Sequence, residues 1–369
     1  MSRSDRFAAT RHRWLGAWLL GRANAHDPTR ALACVLAALA LAMPSFAAAK
    51  EKPASAARER SAILAAVTSW GYQLRIHDLA PLAASAFDLI VIDHGLAARR
   101  NGKLLFDASE IAALKTKPDG RRRIVLAYLS IGEAEQYRYY WRPEWCRRAT
   151  APAWIGAVNP NWPGNYPVRF WDPDWQRLIL GPGDSYLDRI MAQGFDGIYL
   201  DRADVYVEWS AIRQTAARDM IAFLGRIATH ARVRDPRFLI VMQNAEELLI
   251  HARARGLLDA VAKEDLLHGL EFSEAANDAA SIAGSLAHLR RARAAGLPVF
   301  AVEYLADPTR IAAARQRLAG FGFVPYFGPR LLDRLVTPGV AADPAPPSRP
   351  GEPISAGPIG EGGPTCLLD

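Results

Sequence analysis

The stretch Gly-Phe-Asp-Gly-Ile-Tyr-Leu-Asp, residues 194–201, shows most clearly how this chain of 369 residues is built. Phe195 to Leu200 suits a buried strand, and Asp201 falls where that strand emerges. Two further apolar runs end in the same way, 123–130 ahead of Glu133 and 258–263 ahead of Glu264. Because the carboxyl ends of the strands of a parallel barrel face one mouth, we expect these carboxylates to converge there.

Eight such runs lie along the chain, and most of them are separated by helical patterns. The predicted strands are 69–74, 87–93, 124–129, 197–200, 238–242, 260–262, 299–302 and 322–326. Helices are predicted over 107–115, 211–230, 245–254, 273–295 and 308–318. Strands that alternate with helices predict an α/β fold with a parallel sheet, and eight of them favour a single closed (β/α)8 TIM barrel. No G-x-G-x-x-G motif follows the first strand, which argues against dinucleotide binding.

The N-terminal residues have the composition of a secretory signal peptide. Ala31–Met43 is an apolar run that follows several arginines, and Ser45–Ala49 supplies small residues for cleavage. The run is shorter than the roughly 20 apolar residues that a membrane span needs. We therefore predict a secreted or periplasmic protein without stable membrane insertion, a retained N-terminal anchor being the alternative. The predicted organisation is a signal peptide over 1–49, a linker over 50–66, the barrel over 67–336 and a disordered Pro/Gly-rich tail over 337–369.

The basic charge of the chain gives little support for a nucleic-acid partner. The formal net charge is +7, and removing residues 1–48 takes away six Arg and two Asp, which leaves +3. We therefore predict no nucleic-acid partner, and we expect a monomer. Beyond the leader the cysteines are Cys146 and Cys366, which allow one disulfide, and no C-x-x-C metal motif occurs.

An aromatic-rich insertion separates the third strand from the helix before the fourth. It holds six of the ten tryptophans: Trp141, Trp145, Trp154, Trp162, Trp171 and Trp175. Aromatic faces at the mouth of a barrel suit the apolar faces of sugar rings, whereas the alternative role is to pin the loop to the barrel. We expect the segment from Tyr137 to Trp175 to fold over the mouth and to supply at least one stacking ring, with Trp141 and Trp171 as the candidates.

Asp201 and Glu264 are the candidate catalytic pair. They follow alternate strands, so they can face each other across the mouth, and glycosidic cleavage needs two such carboxylates. A lone acid after a strand more often caps a helix or forms a salt bridge. Several further acids share this rim, however, and crowded like charges indicate a site: Asp93, Glu133, Glu135, Asp204, Glu246 and Glu303. For a retaining enzyme the two carboxyl groups should lie about 5–6 Å apart.

Metal binding is the alternative use of these acids. Asp201-x-x-Asp204 together with Glu264 offers oxygen ligands for a hard cation. However, no His-x-His or H-E-x-x-H spacing occurs, and the histidines are scattered along the chain. We therefore predict neither a metal nor a cofactor.

Several segments of the chain closely resemble glycoside hydrolase family 114, a TIM-barrel family of endo-α-1,4-polygalactosaminidase type. They are Ala127–Glu135 with Tyr137-Arg138, Gly194–Asp204, Gln243–Glu246 and Val302–Tyr304. The resemblance extends from about Trp70 to Gly328 and implies that Asp201 is the nucleophile and Glu264 the acid/base. Asp201-Arg202-Ala203-Asp204 departs from the Asp-Asn-Val-Asp of the fungal members, which bears on the substrate.

The predicted function is that of a secreted, endo-acting glycoside hydrolase that cleaves a polysaccharide containing α-1,4-linked galactosamine with retention. An acidic mouth suits unacetylated amino sugars, which are cationic near neutral pH. The substrate-binding residues are expected to be Asp93, Tyr128, Glu133, Glu135, Asp204, Asn244, Glu303, Tyr304, Trp141 and Trp171. The alternatives are a non-catalytic polysaccharide-binding barrel at the cell surface and a glycosidase that acts on a neutral glycan.

Overall fold

The computed structural model describes residues 53–100, 103–270, 272–336 and 366, and these residues form twelve strands. The strands are β1 (Trp70–Gln73), β2 (Leu89–Ile92), β3 (Gly95–Arg100), β4 (Lys103–Leu105), β5 (Ile124–Ser130), β6 (Glu133–Glu135), β7 (Asn165–Pro167), β8 (Gly197–Asp201), β9 (Leu239–Gln243), β10 (Ala260–Glu264), β11 (Val299–Glu303) and β12 (Val324–Phe327). Four of them pair outside the main sheet, as the hairpins β3–β4 and β6–β7.

Helices follow most strands of the main sheet. They are α1 (Pro53–Ala65), α2 (Ala80–Ala84), α3 (Ala108–Leu114), α4 (Pro173–Leu180), α5 (Tyr186–Ala192), α6 (Tyr206–Trp209), α7 (Ala216–Arg234), α8 (Ala252–Leu257), α9 (Ala279–Ala294) and α10 (Pro308–Gly320). Short 3₁₀ helices occur at Pro143–Cys146, Ala203–Val205 and Glu246–Ile250. Among the described residues, no helix has the length and apolar character needed to cross a membrane.

The main sheet has the strand order of a TIM barrel, β1-β2-β5-β8-β9-β10-β11-β12, and every paired neighbour is parallel. The two ends of this order approach each other, since Trp70 Nε1 donates a hydrogen bond to Val324 O at 2.9 Å. The register places Ser130 beside Asp201 and Glu264 beside Val302, so these strands end at one level. The predicted (β/α)8 barrel is confirmed, and all eight predicted strands overlap observed ones.

Local sequence explains why these segments form the buried strands of the barrel. All residues of β2 and β5 are buried, as expected of parallel strands covered on both faces. Gly197 opens β8 because a Cβ there would collide with the backbone of Leu239 on the neighbouring strand. Aromatic rings fill the interior, with the rings of Tyr72 and Tyr199 centred 5.2 Å apart.

The aromatic-rich insertion is built on the hairpin of β6 and β7. Its rings contact one another in a series that includes Trp141 and Tyr166, whose centroids are 4.8 Å apart. Cys146 in this insertion forms a disulfide with Cys366, and Cys366 N donates a hydrogen bond to Gln136 Oε1 at 3.0 Å. The pairing that the sequence allowed is therefore present.

The predicted linker over 50–66 is wrong for most of its length, because Pro53–Ala65 forms helix α1. Ala56, Arg60 and Leu64 are spaced by four residues and are buried, so one face of this helix packs on the barrel. Arg60 Nε also lies 2.8 Å from Asp259 Oδ1. The polar composition concealed this pattern, because its buried face contains an alanine and an arginine.

Three predicted helices have different bounds in the structure. The helix predicted over 245–254 is divided into the 3₁₀ helix Glu246–Ile250 and α8, and those predicted over 211–230 and 273–295 begin at Ala216 and Ala279. The loops ahead of these two helices lie near the carboxyl ends of β8 and β10. The predicted signal peptide over 1–49 lies outside the described residues, as does the predicted tail over 337–369 apart from Cys366.

Candidate active site

A cavity of about 450 Å³ opens at the carboxyl ends of the barrel strands. Most of the residues that line it have polar side chains, which include carboxylates, amides, tyrosine hydroxyls and arginines. These side chains include Asp93, Tyr128, Glu133, Asp201, Arg202, Asp204, Gln243, Asn244, Glu264, Asp265, Tyr304 and Arg330. The strand-end residues of β8, β9 and β10 therefore meet in one place.

Asp201 is held at the end of β8 by donors from neighbouring elements. Its Oδ2 accepts a hydrogen bond of 2.7 Å from the hydroxyl of Tyr128 on β5. Its Oδ1 accepts one of 2.7 Å from the backbone N–H of Arg202 and one of 3.3 Å from Gln243 Nε2. Both carboxylate oxygens are therefore oriented, and the side chain is only half-buried.

Glu264 at the end of β10 has a comparable set of donors. Its Oε2 accepts hydrogen bonds from Gln243 Nε2 and, at 3.2 Å, from Asn244 Nδ2. Its Oε1 accepts a hydrogen bond from the hydroxyl of Tyr304. Gln243 Nε2 thus contacts both carboxylates, so Asp201 Oδ1 and Glu264 Oε2 are at most about 6 Å apart, the length of two hydrogen bonds.

The backbone turns sharply after each of the strands that carry these side chains. Arg202, Asn244, Ala245 and Asp265 have φ values of 59°, 55°, 52° and 51°, in the left-handed region that non-glycine residues rarely occupy. Such conformations persist only where the surrounding structure holds them, and they are concentrated at functional sites. Here they end three adjacent strands at the cavity.

Burial raises the pKa of both carboxyl groups of the pair, and neighbouring carboxylates add to this rise. For Glu264 burial is the largest cause, followed by the charges of Asp201 and Asp265. For Asp201 burial also raises the pKa, and the hydrogen bond from Tyr128 opposes that effect. A pair of this kind shares a proton more readily than two exposed carboxylates do.

Arg202 organises the acids on one side of the cavity. Its Nε lies 3.0 Å from Glu133 Oε1, its Nη1 lies 3.5 Å from Asp204 Oδ1, and it also pairs with Glu208. Glu133 accepts a further hydrogen bond of 2.8 Å from Asn159 in the insertion. Burial raises the pKa of Glu133 to about 7, and the charge of Arg202 opposes that rise. One cation therefore compensates three carboxylates on this wall.

Asp265 and Arg330 form an ion pair on the other side, beside Glu264. Two guanidinium nitrogens of Arg330 lie 2.8 and 3.0 Å from the carboxylate oxygens of Asp265. The guanidinium carbon is also 4.6 Å from the ring centroid of Tyr304. This arrangement fixes Tyr304, which in turn donates to Glu264.

Comparison with known proteins identifies the family. Residues 49–337 match the sequence model of glycoside-hydrolase family GH114. The chain belongs to this family. Family 114 membership makes the protein a glycoside hydrolase, and its strand-end carboxylates are the groups suited to that chemistry.

The relatives of this family 114 chain include proteins from bacteria and archaea. An uncharacterised protein of Deinococcus radiodurans is 37% identical over 279 residues, which cover 74% of this chain and 84% of the relative. An uncharacterised protein of Methanocaldococcus jannaschii is 36% identical over 287 residues, which cover 73% and 78%. The solved glycoside hydrolase domain of PelA from Pseudomonas aeruginosa is similar with a TM-score of 0.55 at 23% identity, over 73% of this chain and 98% of that domain. At this identity the similarity shows a common fold.

The structure brings most of the predicted site residues of this family 114 chain together. Asp201 and Glu264 face the cavity, and its wall also includes the predicted residues Asp93, Tyr128, Glu133, Asp204, Asn244 and Tyr304. No group of three His, Cys, Asp or Glu side chains within the described ranges is arranged to hold a metal ion.

Glu135 and Glu303 do not line the cavity, so their predicted place in the substrate site is corrected. Glu135 is buried and accepts a hydrogen bond of 2.6 Å from Arg138 Nε, while the same arginine lies 2.9 Å from Asp93. Glu303 is completely buried and accepts hydrogen bonds of 2.8 and 3.0 Å from the backbone N–H groups of Leu267 and of the next residue. Both acids follow the expected strands, but loops that fold back over them supply their donors.

Trp141 and Trp171 are also placed away from the cavity, in contrast to the prediction. Trp141 stacks on Tyr166 with an interplanar angle of 24°. Trp171 packs edge-on against Trp209 at 5.6 Å between centroids. The insertion does reach the cavity, but through Trp162, which is half-buried and lines its wall.

Some residues of the site were missed by the sequence interpretation. Gln243 and Asp265 are sequence neighbours of predicted site residues. An amide or carboxylate side chain at a strand end was the sequence signal that could have identified them. Arg330 and Phe272 lie in irregular segments, where no periodicity indicates that a side chain reaches the cavity.

Proposed function

We propose that the protein is an endo-acting glycosidase that cleaves a polysaccharide containing α-1,4-linked galactosamine with retention of configuration. The observation that carries this proposal is the bridging of Asp201 and Glu264 by Gln243 Nε2. The resulting separation of at most about 6 Å supports a retaining mechanism, for which about 5–5.5 Å is typical, because inversion needs room for a water molecule.

In the first step Glu264 donates its proton to the glycosidic oxygen while an Asp201 oxygen attacks the anomeric carbon. The bond between that carbon and the glycosidic oxygen breaks, and an ester links the sugar to Asp201. In the second step Glu264, now a carboxylate, removes a proton from water. The water oxygen attacks the anomeric carbon and Asp201 leaves, so two displacements restore the original configuration.

The surrounding donors support this division of roles. The hydroxyl of Tyr128 and the backbone N–H of Arg202 stabilise the charge of Asp201, as a nucleophile requires. Glu264 is placed where burial and the charge of Asp201 raise its pKa, as a proton donor requires. Gln243 keeps the two carboxyl groups in a fixed relation.

The acidic wall supports an amino-sugar substrate, since several carboxylates attract a cationic polymer. A second candidate substrate, a neutral or N-acetylated glycan, is favoured by Arg202. This residue pairs with Glu133, Asp204 and Glu208 and thereby compensates the charge on one side of the cavity.

The proposed test is the release of reducing ends from a panel of polymers. The panel contains a de-N-acetylated α-1,4-galactosamine polymer, its N-acetylated form and a neutral α-glucan, with Asp201→Asn as the inactive control. We expect cleavage of a galactosamine polymer, an early fall in chain length typical of internal cuts, and an initial product of α configuration by NMR. Cleavage of the neutral glucan alone would exclude the proposed substrate, and binding without cleavage would support a non-catalytic barrel.

Export and a monomeric state are also proposed. Export is supported by the apolar run Ala31–Met43 and the small residues after it. The mass of the protein recovered from outside the cytoplasm should correspond to removal of about the first 49 residues. Light scattering of that species is expected to give the mass of one chain.

A further inference from the structure

The loop between β10 and α9 carries an exposed aromatic residue at the mouth of the cavity. Phe272 is 46% exposed, lines the cavity and has a φ of 56°. A large apolar side chain gains little from such exposure, and a left-handed backbone conformation is unfavourable for it. Packing in the core therefore does not explain its position.

The ring of Phe272 is connected to Glu264 by a continuous series of contacts. The guanidinium of Arg330 lies over this ring at 5.3 Å from its centroid and over the ring of Tyr304 at 4.6 Å. Asp265 fixes the guanidinium, and Tyr304 donates to Glu264. The position of the ring is therefore set relative to the carboxyl group.

The loop that presents Phe272 is held by its own hydrogen bonds. Phe272 N donates to Gly269 O at 2.8 Å, and Gly269 N donates to Ala275 O at 3.1 Å. Asn277 Nδ2 donates to Asp265 O at 2.7 Å. A ring on such a loop can bind a ligand face with little loss of conformational entropy.

A second ring, that of Trp162, lines the same cavity. Trp162 lies in a turn in which Trp162 N donates to Asn159 O at 3.2 Å, and Asn159 Nδ2 donates to Glu133 Oε1 at 2.8 Å. Glu133 follows β5, whereas Phe272 follows β10, and β8 and β9 lie between these strands. In the strand order, Asp201 on β8 and Gln243 on β9 therefore lie between the loops that carry the two rings.

We propose that Phe272 is the stacking platform of a sugar subsite beside Glu264, which takes a pyranose ring on the side of the cleavage point opposite to Trp162. This inference rests on the proposed function, because it assigns the ligand as part of the same polysaccharide chain. The apolar C–H face of a pyranose packs on the open face of the ring, while Arg330 lies over the other face. The polysaccharide then crosses the cavity above both carboxylates.

The experiment is a comparison of Phe272→Ala, Phe272→Leu and Phe272→Tyr with the parent on oligosaccharides of increasing length. Removing the ring should raise KM for long oligosaccharides about 10-fold. KM for the shortest substrate that is cleaved should stay nearly unchanged. Phe272→Leu should behave like Phe272→Ala, and Phe272→Tyr like the parent. The melting temperature should stay within a degree or two, because the ring is exposed.

The matched control is Leu270→Ala. Leu270 is 51% exposed in the same loop but does not line the cavity, so its removal should leave KM unchanged at every chain length. An unchanged KM in Phe272→Ala, with an active parent, would overturn the platform while the proposed function stands.

A parent that cleaves no polymer of the panel would contradict the proposed function, and the platform would then be tested by binding. Affinity electrophoresis in gels that contain each polymer measures this directly. Weaker retention of Phe272→Ala than of Leu270→Ala would support the platform. Equal retention, or no retention of the parent by any polymer, would overturn it.

Discussion

The barrel mouth contains two kinds of strand-end carboxylate, and their partners distinguish them. Asp201 and Glu264 are half-buried, face the cavity and accept hydrogen bonds from amides, tyrosine hydroxyls and one backbone N–H. Glu135 and Glu303 are buried, and an arginine or backbone N–H groups of folded-back loops bind them. A carboxylate at a strand end is therefore available for chemistry only when no loop closes over it.

The largest effect is expected for Asp201→Asn, because an amide cannot form the glycosyl ester. We expect kcat to fall at least about 10³-fold, with polysaccharide binding retained. Steady-state kinetics together with affinity electrophoresis measure both quantities. Near-parental turnover would exclude Asp201 as the nucleophile.

Glu264→Gln should lower kcat by roughly 10²- to 10⁴-fold, the usual contribution of a general acid. A substrate with a good leaving group needs less protonation and should lose much less activity in the glycosylation step. Because Glu264 is also the base of the second step, the comparison uses kcat/KM, which reports glycosylation. An equal loss of kcat/KM with both kinds of substrate would contradict the role of proton donor.

The carboxyl group of Glu264 should also set the alkaline limb of the pH profile of activity. Its raised pKa keeps Glu264 protonated above the ordinary range of about 4.3, so activity should persist above that range and decline as the pH rises through the raised value. The Asp265→Asn variant removes a neighbouring negative charge and should shift this limb to lower pH. An unchanged limb would show that another group controls it.

Arg138→Ala tests the second kind of carboxylate. It leaves Asp93 and Glu135 buried without their cation, and removal of one partner of a buried ion pair typically costs about 3–5 kcal/mol. Urea unfolding should show this loss. The control Arg142→Ala removes an exposed arginine of the same insertion and should change the free energy of unfolding by less than about 0.5 kcal/mol.

Glu303→Gln should give the smallest effect, on the pH dependence of stability. Burial raises the pKa of Glu303 to about 7, above its unfolded value of about 4.3. The stabilisation that protonation of Glu303 contributes to the folded protein is therefore complete below about pH 4.3. It is lost as the pH rises through about 7. The free energy of unfolding should fall less steeply between pH 5 and 7 in the variant than in the parent. The exposed Glu144→Gln serves as the control and should keep the parental slope.

The sequence by itself determined the barrel and the candidate pair. Apolar runs of three to seven residues, separated by helical patterns, are local properties, and each of the eight predicted strands overlaps an observed one. The positions of Asp201 and Glu264 follow from the parallel arrangement, because all carboxyl strand ends share one face. The sequence also contained the buried face of α1, as the four-residue spacing of Ala56, Arg60 and Leu64, although the prediction of a linker missed it.

Only the tertiary structure decided which side chains reach the cavity. Glu264 and Glu303 have the same place at the ends of β10 and β11, yet the loop after β10 folds back and binds Glu303 through its backbone N–H groups. Trp162 and Phe272 line the cavity while Trp141 and Trp171 pack on other rings. These outcomes depend on the paths of irregular loops, which are fixed by contacts between residues far apart in the chain and carry no periodic pattern.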